Sequence, residues 1–442
     1  AEAITSAVSS GAITSGDKLP PVRELAWQLG ITPGTVARAY TVLTESGAAT
    51  AVVGRGTFVS DRAAKTALVA PDIQVAPQET DIVSLFSTRL PDAGQVAMIR
   101  SAMGTLGQTM PQALLSYPTR QSFEPARRAV LRWLGDTVLG PVDQEDLVLS
   151  HGGQSAVSLV MQAVLTGPRP VVMLEALSYP GFRRAAQLLR ADVVSVPMDD
   201  KGLCPDALDR VASETGAQLL CTSAEVHNPT GLFTPPERRA EIAAVARRRG
   251  FHILEDDCYR IGAARAESYR SIVPDHGWYV SSISKSLTPA LRIGFALAPK
   301  RYRADLRRAA EDGFFGLARP LAELTEILLS SDETYAMMAA VRAELNRYIR
   351  VAVNTLGGYD LVWSDEIPFL WLNLPAGWRA ASFAQAAEAQ GVQVRPAEEF
   401  ALRDANAPHA VRIGVNAQVT LASFEAAILR LRTLLDNPPE RI

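Results

Sequence analysis

The chain has 442 residues, of which 48% are hydrophobic and 21% charged, and its formal net charge is −3 at pH 7. This is the composition of a soluble globular protein, and the length predicts two or three domains rather than one core. The charge argues against a protein that coats nucleic acid, and no apolar run reaches the roughly 20 residues of a membrane helix.

The cysteines and histidines give no framework for a disulfide or a metal. The three cysteines are far apart, with no C-x-x-C pair, and the five histidines have no metal-ligand spacing. The first residues, AEAITSAVSSG, have no basic segment leading into an apolar one, so we expect no signal peptide. A reducing cytoplasm is therefore the expected location.

Arginine greatly outnumbers lysine in this chain. The lysines are Lys18, Lys65, Lys201, Lys285 and Lys300. Where only a positive charge is needed the chain generally uses Arg, so a Lys within a motif is more informative than usual.

Three zones follow one another along the chain. Residues 1–60 hold short helical patterns and a Gly-rich hairpin, and residues 61–81 are Pro-containing and aperiodic, which is typical of a linker. From residue 82 to 442, strand-like runs such as VVMLEA and FHILEDDC alternate with amphipathic helices. This pattern predicts an α/β domain with a mainly parallel sheet, followed from about 330 by a smaller α+β subdomain.

Two short helices joined by a tight turn are predicted near the start of the chain. Apolar side chains share one helical face at Val22, Leu25, Ala26 and Leu29, and then at Val36, Ala39, Tyr40 and Leu43. Thr32 is a plausible N-cap, with Pro33 at the first helical position. A β-rich hairpin around Gly54-Arg55-Gly56 follows. This arrangement favours a helix-turn-helix with a wing, although a plain helical subdomain without DNA contacts stays open.

Residues 16–59 resemble the winged helix of the GntR family. The shared motifs are G-D-x-L-P-x-x-R-E-L-A, L-G-I-T-x-x-T-V-x-x-A-Y and G-x-G-T-F-V. The resemblance implies double-stranded DNA as a partner and contacts from Arg23, Thr32 and Thr35. Pro33 stands where the family often carries Arg, so we expect few contacts, made mainly by Arg23, Arg38 and Arg55.

In the second zone, Lys285 follows the strand-like run WYVSSIS, where its amine could act as a nucleophile, unlike a guanidinium. A solvated loop lysine is the alternative. Ser282, Ser284 and Arg292 flank it and could bind phosphate. The turn HGGQS, with Gly153 and Gln154, opens a helix after the strand DLVLS and could present N–H groups to an anion, although an ordinary strand–helix turn stays open.

Further polar and aromatic groups follow predicted strands. Asp256 ends the strand FHILED, with Tyr259 close behind, and Asn228 lies in HNPTG. Tyr179 begins a helix and could stack on a ring or simply pack in the core. For Asp257 we favour a helix N-cap. Together these groups match the requirements of pyridoxal 5′-phosphate: an amine, a carboxylate for the pyridine nitrogen, donors, an aromatic ring and a phosphate cup.

The order G-G-Q, aromatic, N-P-T-G, D-x-x-Y, S-x-S-K and a later Arg resembles fold-type-I, aspartate-aminotransferase-like proteins from about residue 82 onward. The resemblance implies that Lys285 forms a Schiff base, Asp256 pairs with the pyridine nitrogen, and Arg412 clamps a carboxylate. It further implies 3′-oxygen donors at Asn228 and Tyr259, stacking by Tyr179, and a phosphate cup of Gly153, Gln154, Ser282, Ser284 and Arg292. Tyr117 resembles a tyrosine that reaches the neighbouring subunit's phosphate, although the usual Gly after it is missing.

The two parts together resemble the MocR subfamily of regulators. That resemblance implies a homodimer, with domain swapping as one of its forms, that senses pyridoxal phosphate or an amine through Lys285. A working aminotransferase with an accessory DNA-binding domain is the alternative, and a cofactor-free dimerisation scaffold is a third possibility. The sequence leaves the effector, the operator and the sign of regulation open.

Overall fold

The computed structural model describes residues 4, 13–14, 16–45, 49–52, 56–59, 82–109, 115–403 and 405–439. The chain divides into two compact units, residues 1–80 and 81–442. The predicted linker, residues 61–81, lies outside the described residues, as does Arg55 of the predicted wing.

The first unit is a helix pair followed by a hairpin: α1 (Val22–Leu29), α2 (Pro33–Glu45), β1 (Ala49–Val52) and β2 (Gly56–Val59). Gly30 ends α1 in the left-handed region at φ 63°. The Thr35 N–H donates to Thr32 Oγ1 at 3.3 Å, so Thr32 caps α2 as predicted. The strands pair antiparallel, with Ala49 opposite Val59.

A small core holds the first unit together. Its buried apolar side chains are Leu19, Ala26, Val36, Tyr40, Leu43, Ala49 and Val59. The Tyr40 hydroxyl donates to the Pro20 carbonyl at 2.7 Å. The predicted buried face was wrong at Leu29, which is 59% exposed. Leu29 is the last residue of a two-turn helix, and the chain turns at Gly30 before another element covers it.

The second unit contains many more elements. Its helices are α3 (Gln95–Thr109), α4 (Glu124–Trp133), α5 (Gly153–Val164), α6 (Pro180–Leu188), α7 (Pro205–Thr215), α8 (Pro236–Arg249), α9 (Tyr269–Ile272), α10 (Arg303–Phe314), α11 (Arg319–Leu329), α12 (Asp332–Leu356), α13 (Ala380–Ala389) and α14 (Leu421–Asp436). Its strands are β3 (Val83–Ser84), β4 (Leu147–Ser150), β5 (Val171–Glu175), β6 (Asp192–Val196), β7 (Met198–Asp199), β8 (Gly202–Leu203), β9 (Leu219–Thr222), β10 (His252–Asp256), β11 (Gly277–Ser282), β12 (Gly294–Leu297), β13 (Leu361–Val362), β14 (Phe369–Asn373), β15 (Val392–Gln393), β16 (Arg395–Pro396) and β17 (Ala410–Gly414).

Seven strands form the large sheet in the order β4-β12-β11-β10-β9-β5-β6. Strand β12 is antiparallel to both of its neighbours, and the other pairs are parallel. The predicted α/β fold with a mainly parallel sheet is confirmed. Strand β12 was not predicted: it runs against its neighbours, and residues 283–293 join it to β11 without an α-helix.

A second, four-stranded antiparallel sheet has the order β13-β14-β17-β16. Its core also includes Leu85 and Leu90, and β3 pairs parallel with β15. The smaller subdomain, predicted from about residue 330, therefore also takes in residues from the start of the unit. No helix in the described residues is long and apolar enough to cross a membrane.

Candidate cofactor site

The carboxyl edge of the large sheet gathers most of the predicted cofactor residues. Asp256 ends β10, Ser282 ends β11, and Lys285 lies in the turn of 3-10 helix that follows. Arg292 lies two residues before β12, whose antiparallel direction brings its amino end to the same edge. In open α/β sheets this edge is where ligands bind.

One part of this edge has the features of an anion cradle. Gly152, at φ 84°, precedes the twelve-residue helix α5, and a Cβ on it would lie 2.7 Å from Arg292 Nη2. A Cβ on Gly294 would lie 2.4 Å from the carbonyl carbon of Gly152. The two glycines therefore let β12 and the Arg292 guanidinium approach the amino end of α5, where backbone N–H groups attract anions.

Serine hydroxyls lie beside the same turn. Ser282 Oγ lies 3.9 Å from a Cβ placed on Gly153 and accepts the Ser284 N–H at 3.4 Å. The Ser284 and Ser286 hydroxyls are buried and have no hydrogen-bond partner within the described part of the chain. Buried hydroxyls without partners, an exposed guanidinium and a helix amino end together suit a phosphate group.

Asp256 has the environment of a carboxylate that lacks its cation. Its Oδ1 accepts the Cys258 N–H at 3.0 Å, and no ion pair to it is formed among the described residues. Desolvation raises the pKa of Asp256 to about 6. A protonated pyridine nitrogen would supply the missing positive charge, so this residue fits the expected cofactor.

Asp257 is not the helix N-cap that we favoured. It accepts hydrogen bonds from the Tyr279 hydroxyl at 2.5 Å and from Arg260 Nε at 2.7 Å. No α-helix begins after it until α9 at Tyr269. Burial raises the pKa of Asp257, and its hydrogen bonds hold the chain between Asp256 and Tyr259 in place.

Tyr179 lies at the N-cap of α6 and packs edge-on against Phe182. Gln154 Nε2, from the first turn of α5, donates to the Gly181 carbonyl at 3.0 Å and links the two helices. Burial and the nearby Asp256 carboxylate raise the pKa of Tyr179 to about 12. The ring therefore lies at the same edge as the carboxylate.

Lys285 Nζ lies 5.1 Å from the centre of the Tyr259 ring. No carboxylate pairs with this amine in the part of the chain that the structure describes. Burial alone would raise the pKa of Tyr259, but the positive charges of Lys285, Arg412 and Arg395 bring it below the ordinary value. The phenol hydroxyl thus lies among cations at the pocket.

Arg412, on β17, is 3% exposed. Its Nη1 donates to Asn228 Oδ1 at 2.6 Å and its Nη2 to the Phe86 carbonyl at 2.8 Å, whereas its buried Nε has no partner among the described residues. Desolvation lowers the pKa of Arg412. A buried guanidinium that donates to the neutral oxygens of Asn228 and Phe86 suits a ligand carboxylate.

Tyr117 is not brought to this cluster within one chain. Its side chain is 84% exposed, and its ring centre lies 6.1 Å from that of Phe315. Its assignment to a neighbouring subunit's phosphate stays a prediction. Phe86, Cys258 and Arg395 were not predicted to belong to this cluster. Phe86 and Arg395 fall in none of the motifs, and Cys258 occupies a variable position of D-x-x-Y.

The predicted DNA contacts of the first unit lie at its surface. Arg23, Thr32, Thr35 and Arg38 are all exposed, and the two threonine hydroxyls are 2.9 Å apart. The Lys18 side chain lies against the second strand of the hairpin, since a Cβ on Gly56 would lie 2.8 Å from its Cε. Lys18 was not predicted as a contact residue, although its position directly before the L-P motif could have indicated it.

The first unit is a helix-turn-helix with a hairpin. The second has a mainly parallel sheet with a lysine, an aspartate and an arginine at its carboxyl edge. Together they define a regulator built on a fold-type-I domain. The chain belongs to the family of aminotransferases of class I and II, whose model matches residues 80–431. Residues 1–59 match the bacterial regulatory proteins of the gntR family. The predicted MocR-type architecture is confirmed, and with it a DNA-binding transcription regulator.

Known proteins of both kinds are similar to this chain. YdeF of Bacillus subtilis, an uncharacterized HTH-type transcriptional regulator, is 26% identical over 438 residues, covering 97% of this chain and 92% of YdeF. The HTH-type transcriptional regulator TauR of Rhodobacter capsulatus is 28% identical, covering 90% and 88%. The structure of LysN, an α-aminoadipate aminotransferase from Thermus thermophilus complexed with N-(5′-phosphopyridoxyl)-L-leucine, matches with a TM-score of 0.70 and 23% identity, covering 81% and 92%.

Proposed function

We propose that the protein is a DNA-binding transcription regulator whose second unit binds pyridoxal 5′-phosphate and responds to it or to an amino acid. The observation that carries this proposal is the meeting of Lys285, Asp256 and Arg292 at one sheet edge, in a chain that also contains a winged helix. When bound, the cofactor supplies an aldehyde that captures amines reversibly.

Each group in the pocket has one task in this proposal. Lys285 holds the cofactor covalently, Asp256 keeps the pyridine nitrogen protonated, and Arg412 orients an incoming carboxylate. The other cofactor contacts are Asn228 and Tyr259 at the 3′-oxygen, Tyr179 on the ring, and Gly153, Gln154, Ser282, Ser284 and Arg292 at the phosphate.

Arg412 is also the group through which a ligand would change the relative arrangement of the two sheets of the second unit. It belongs to the small sheet, and its hydrogen bond to Asn228 joins that sheet to the turn after β9 of the large sheet. A ligand carboxylate would compete for this guanidinium, so ligand binding would favour one arrangement of the two sheets over another. Such a shift in population is the basis of coupling between two sites.

For the first unit we propose contacts to DNA phosphates and bases from Arg23, Thr32, Thr35 and Arg38, with Arg55 on the wing. Their exposure supports this assignment. We propose a homodimer, in which two winged helices read two half-sites and Tyr117 reaches the pocket of the neighbouring subunit. A role at DNA places the protein in the cytoplasm.

A working aminotransferase is the second candidate. Lys285 Nζ and Arg412 Cζ lie 5.1 and 5.8 Å from the centre of the Tyr259 ring, and both groups could serve turnover as well as sensing. Lys285 would then also move a proton on the bound substrate. Formation of a keto acid from an amino acid, with consumption of 2-oxoglutarate, would favour this candidate.

The decisive experiment measures DNA retardation with the intergenic DNA beside the gene, with and without pyridoxal phosphate and candidate amino acids, alongside an absorption spectrum. We expect the wild type to show a visible band and a ligand-dependent shift in DNA affinity. Lys285→Ala should lose both, whereas Lys300→Ala, at an exposed lysine, should keep both.

Two results would contradict the proposal. One is a Lys285→Ala protein that keeps the band and the normal ligand response. The other is a colourless wild type that takes up no added cofactor, which would indicate that the second unit is only a dimerisation scaffold.

A further inference from the structure

Two arginines lie directly opposite each other in the small sheet. Arg395 of β16 pairs with Arg412 of β17 in the antiparallel register. Residues directly opposite in such a pair project to the same face, and like charges in these positions are destabilising. The stability of the fold therefore does not explain this pair of arginines, of which Arg412 is 3% exposed, and a role in ligand binding does.

Both guanidinium groups converge on Phe86. Arg412 Nη2 donates to the Phe86 carbonyl at 2.8 Å, and Arg395 Cζ lies 5.7 Å from the centre of the Phe86 ring. Both also act on Tyr259, whose pKa, although raised by burial, is brought below its ordinary value by Lys285, Arg412 and Arg395. Arg395 therefore belongs to the same pocket as Lys285.

Three cations, Lys285, Arg412 and Arg395, act together on Tyr259. The carboxylate that pairs with Arg395 is Glu399, whose Oε2 lies 3.7 Å from Arg395 Nη1 and whose side chain is 45% exposed. Arg412 donates hydrogen bonds to the neutral oxygens of Asn228 and Phe86. One α-carboxylate would neutralise Arg412 alone, and a second anionic group would be attracted to Arg395.

We propose that the effector is an amino acid with a second acidic group, whose α-carboxylate binds Arg412 and whose side-chain carboxylate binds Arg395. This inference rests on the proposed function, because the amine of the effector must meet the cofactor held by Lys285. The buried ring of Phe400, whose centre lies 5.0 Å from Arg412 Cζ, packs beside this guanidinium.

The test compares an acid with its uncharged amide. Cofactor-loaded protein is titrated with L-glutamate, L-aspartate and their amides, L-glutamine and L-asparagine, with binding followed by the visible spectrum and by calorimetry. We expect an acid to bind roughly tenfold or more tightly than its amide, which is the scale of one charge-assisted hydrogen bond. Arg395→Gln should remove this preference, so that each acid binds no more tightly than its amide.

Three further variants complete the design. Arg395→Lys keeps the charge and should retain part of the preference, whereas Arg379→Gln, at an exposed arginine of the same subdomain, should retain all of it. Glu399→Gln removes the carboxylate that competes for Arg395 and should increase the preference severalfold. This variant keeps the inference testable even if Arg395→Gln does not fold.

The outcomes separate the inference from the proposed function. If pyridoxal phosphate binds at Lys285 but each acid binds no better than its amide, the assignment of Arg395 is wrong and the cofactor-dependent regulator stands. If the acid preference is unchanged in both Arg395→Gln and Glu399→Gln, the assignment is likewise wrong. If no cofactor binds at Lys285, both proposals fall.

Discussion

The two units of this protein place their functional residues in opposite environments. In the first unit Arg23, Thr32, Thr35 and Arg38 lie at the surface, over a core of seven buried apolar side chains among the described residues. In the second unit the candidate groups come from positions far apart in the chain, and several are buried, including Asn228 and Arg412.

This difference has a consequence for stability. Exposed side chains that contact DNA cost the DNA-free protein little stability, because water solvates them. In the second unit burial removes several candidate groups from solvent: desolvation raises the pKa of Asp256 and lowers that of Arg412, and the buried Ser284 hydroxyl has no partner among the described residues. The ligand-free second unit should therefore bear a stability cost that the free first unit does not, and ligand binding should offset that cost.

Asp256→Asn gives the largest expected effect. Because the folded-state pKa is about 6 against an ordinary 3.8, the folded protein holds this proton more tightly than the unfolded chain does, so ligand-free stability falls as pH rises from about 4 to 6. The loss at pH 8 is about 3 kcal/mol, since one pKa unit is about 1.36 kcal/mol. The variant should escape this loss, yet bind the cofactor more weakly.

Urea unfolding of the ligand-free second unit at pH 4 and pH 8 measures this effect. The variant should be more stable than the wild type at pH 8, and the difference should vanish at pH 4. Asp305→Asn, at a surface carboxylate of α10, serves as the control and should show no such dependence. A wild type and an Asp256→Asn variant with parallel pH profiles would show that burial of the carboxylate carries no penalty.

Arg292→Gln should weaken the affinity for pyridoxal phosphate by about 2 kcal/mol, or roughly thirtyfold, because hydrogen bonds to charged groups contribute about 1.5–3 kcal/mol. Arg292 adopts φ 50°, and Gln bears the same backbone strain, so the comparison isolates the guanidinium. Spectral titration with the cofactor measures the change, and Arg292→Lys should lose less. Equal affinities in the three proteins would remove Arg292 from the phosphate site.

The comparison also shows what the sequence can predict. Local patterns were enough for the first unit, where the N-cap at Thr32 and the buried face of α2 follow from neighbouring residues. In the second unit, strand order and the spacing of motifs identified the edge at which Asp256 and Lys285 meet. The predictions for the first unit depend on interactions between residues near in sequence. The prediction for the second unit depends on a rule that holds for all open parallel sheets.

Contacts between distant segments could not be predicted in the same way. Asp257 seemed suited to a helix N-cap because only its neighbours in sequence were considered, whereas its partner Tyr279 lies on the adjacent strand. The pairing of Arg395 with Arg412 depends on the register of two short strands, which a two-residue strand such as β16 does not encode. Such contacts require the folded chain.

Arg38→Gln should lower operator affinity by about 1.4 kcal/mol, or tenfold, and reduce the slope of log affinity against log salt by about 1 if Arg38 meets a phosphate. Arg38 is exposed on α2, so the stability of the first unit should not change. DNA retardation at several salt concentrations measures both quantities, with the exposed Lys201→Gln as the control. An unchanged slope together with relaxed sequence preference would indicate a base contact instead.

Tyr40→Phe gives the smallest effect in energy and the most direct comparison of the two units. It removes the hydrogen bond from the hydroxyl to Pro20 O, worth about 1 kcal/mol. Tyr335→Phe removes a similar bond, of 3.1 Å to Leu329 O, from the second unit. In a small domain a loss of this size lowers the melting temperature by about 4–8 °C.

Tyr40→Phe should therefore weaken DNA binding on heating and leave cofactor binding intact, and Tyr335→Phe should leave the first unit's transition unchanged. If both variants lower the two transitions together, the units unfold as one, and the contrast in stability between them does not hold.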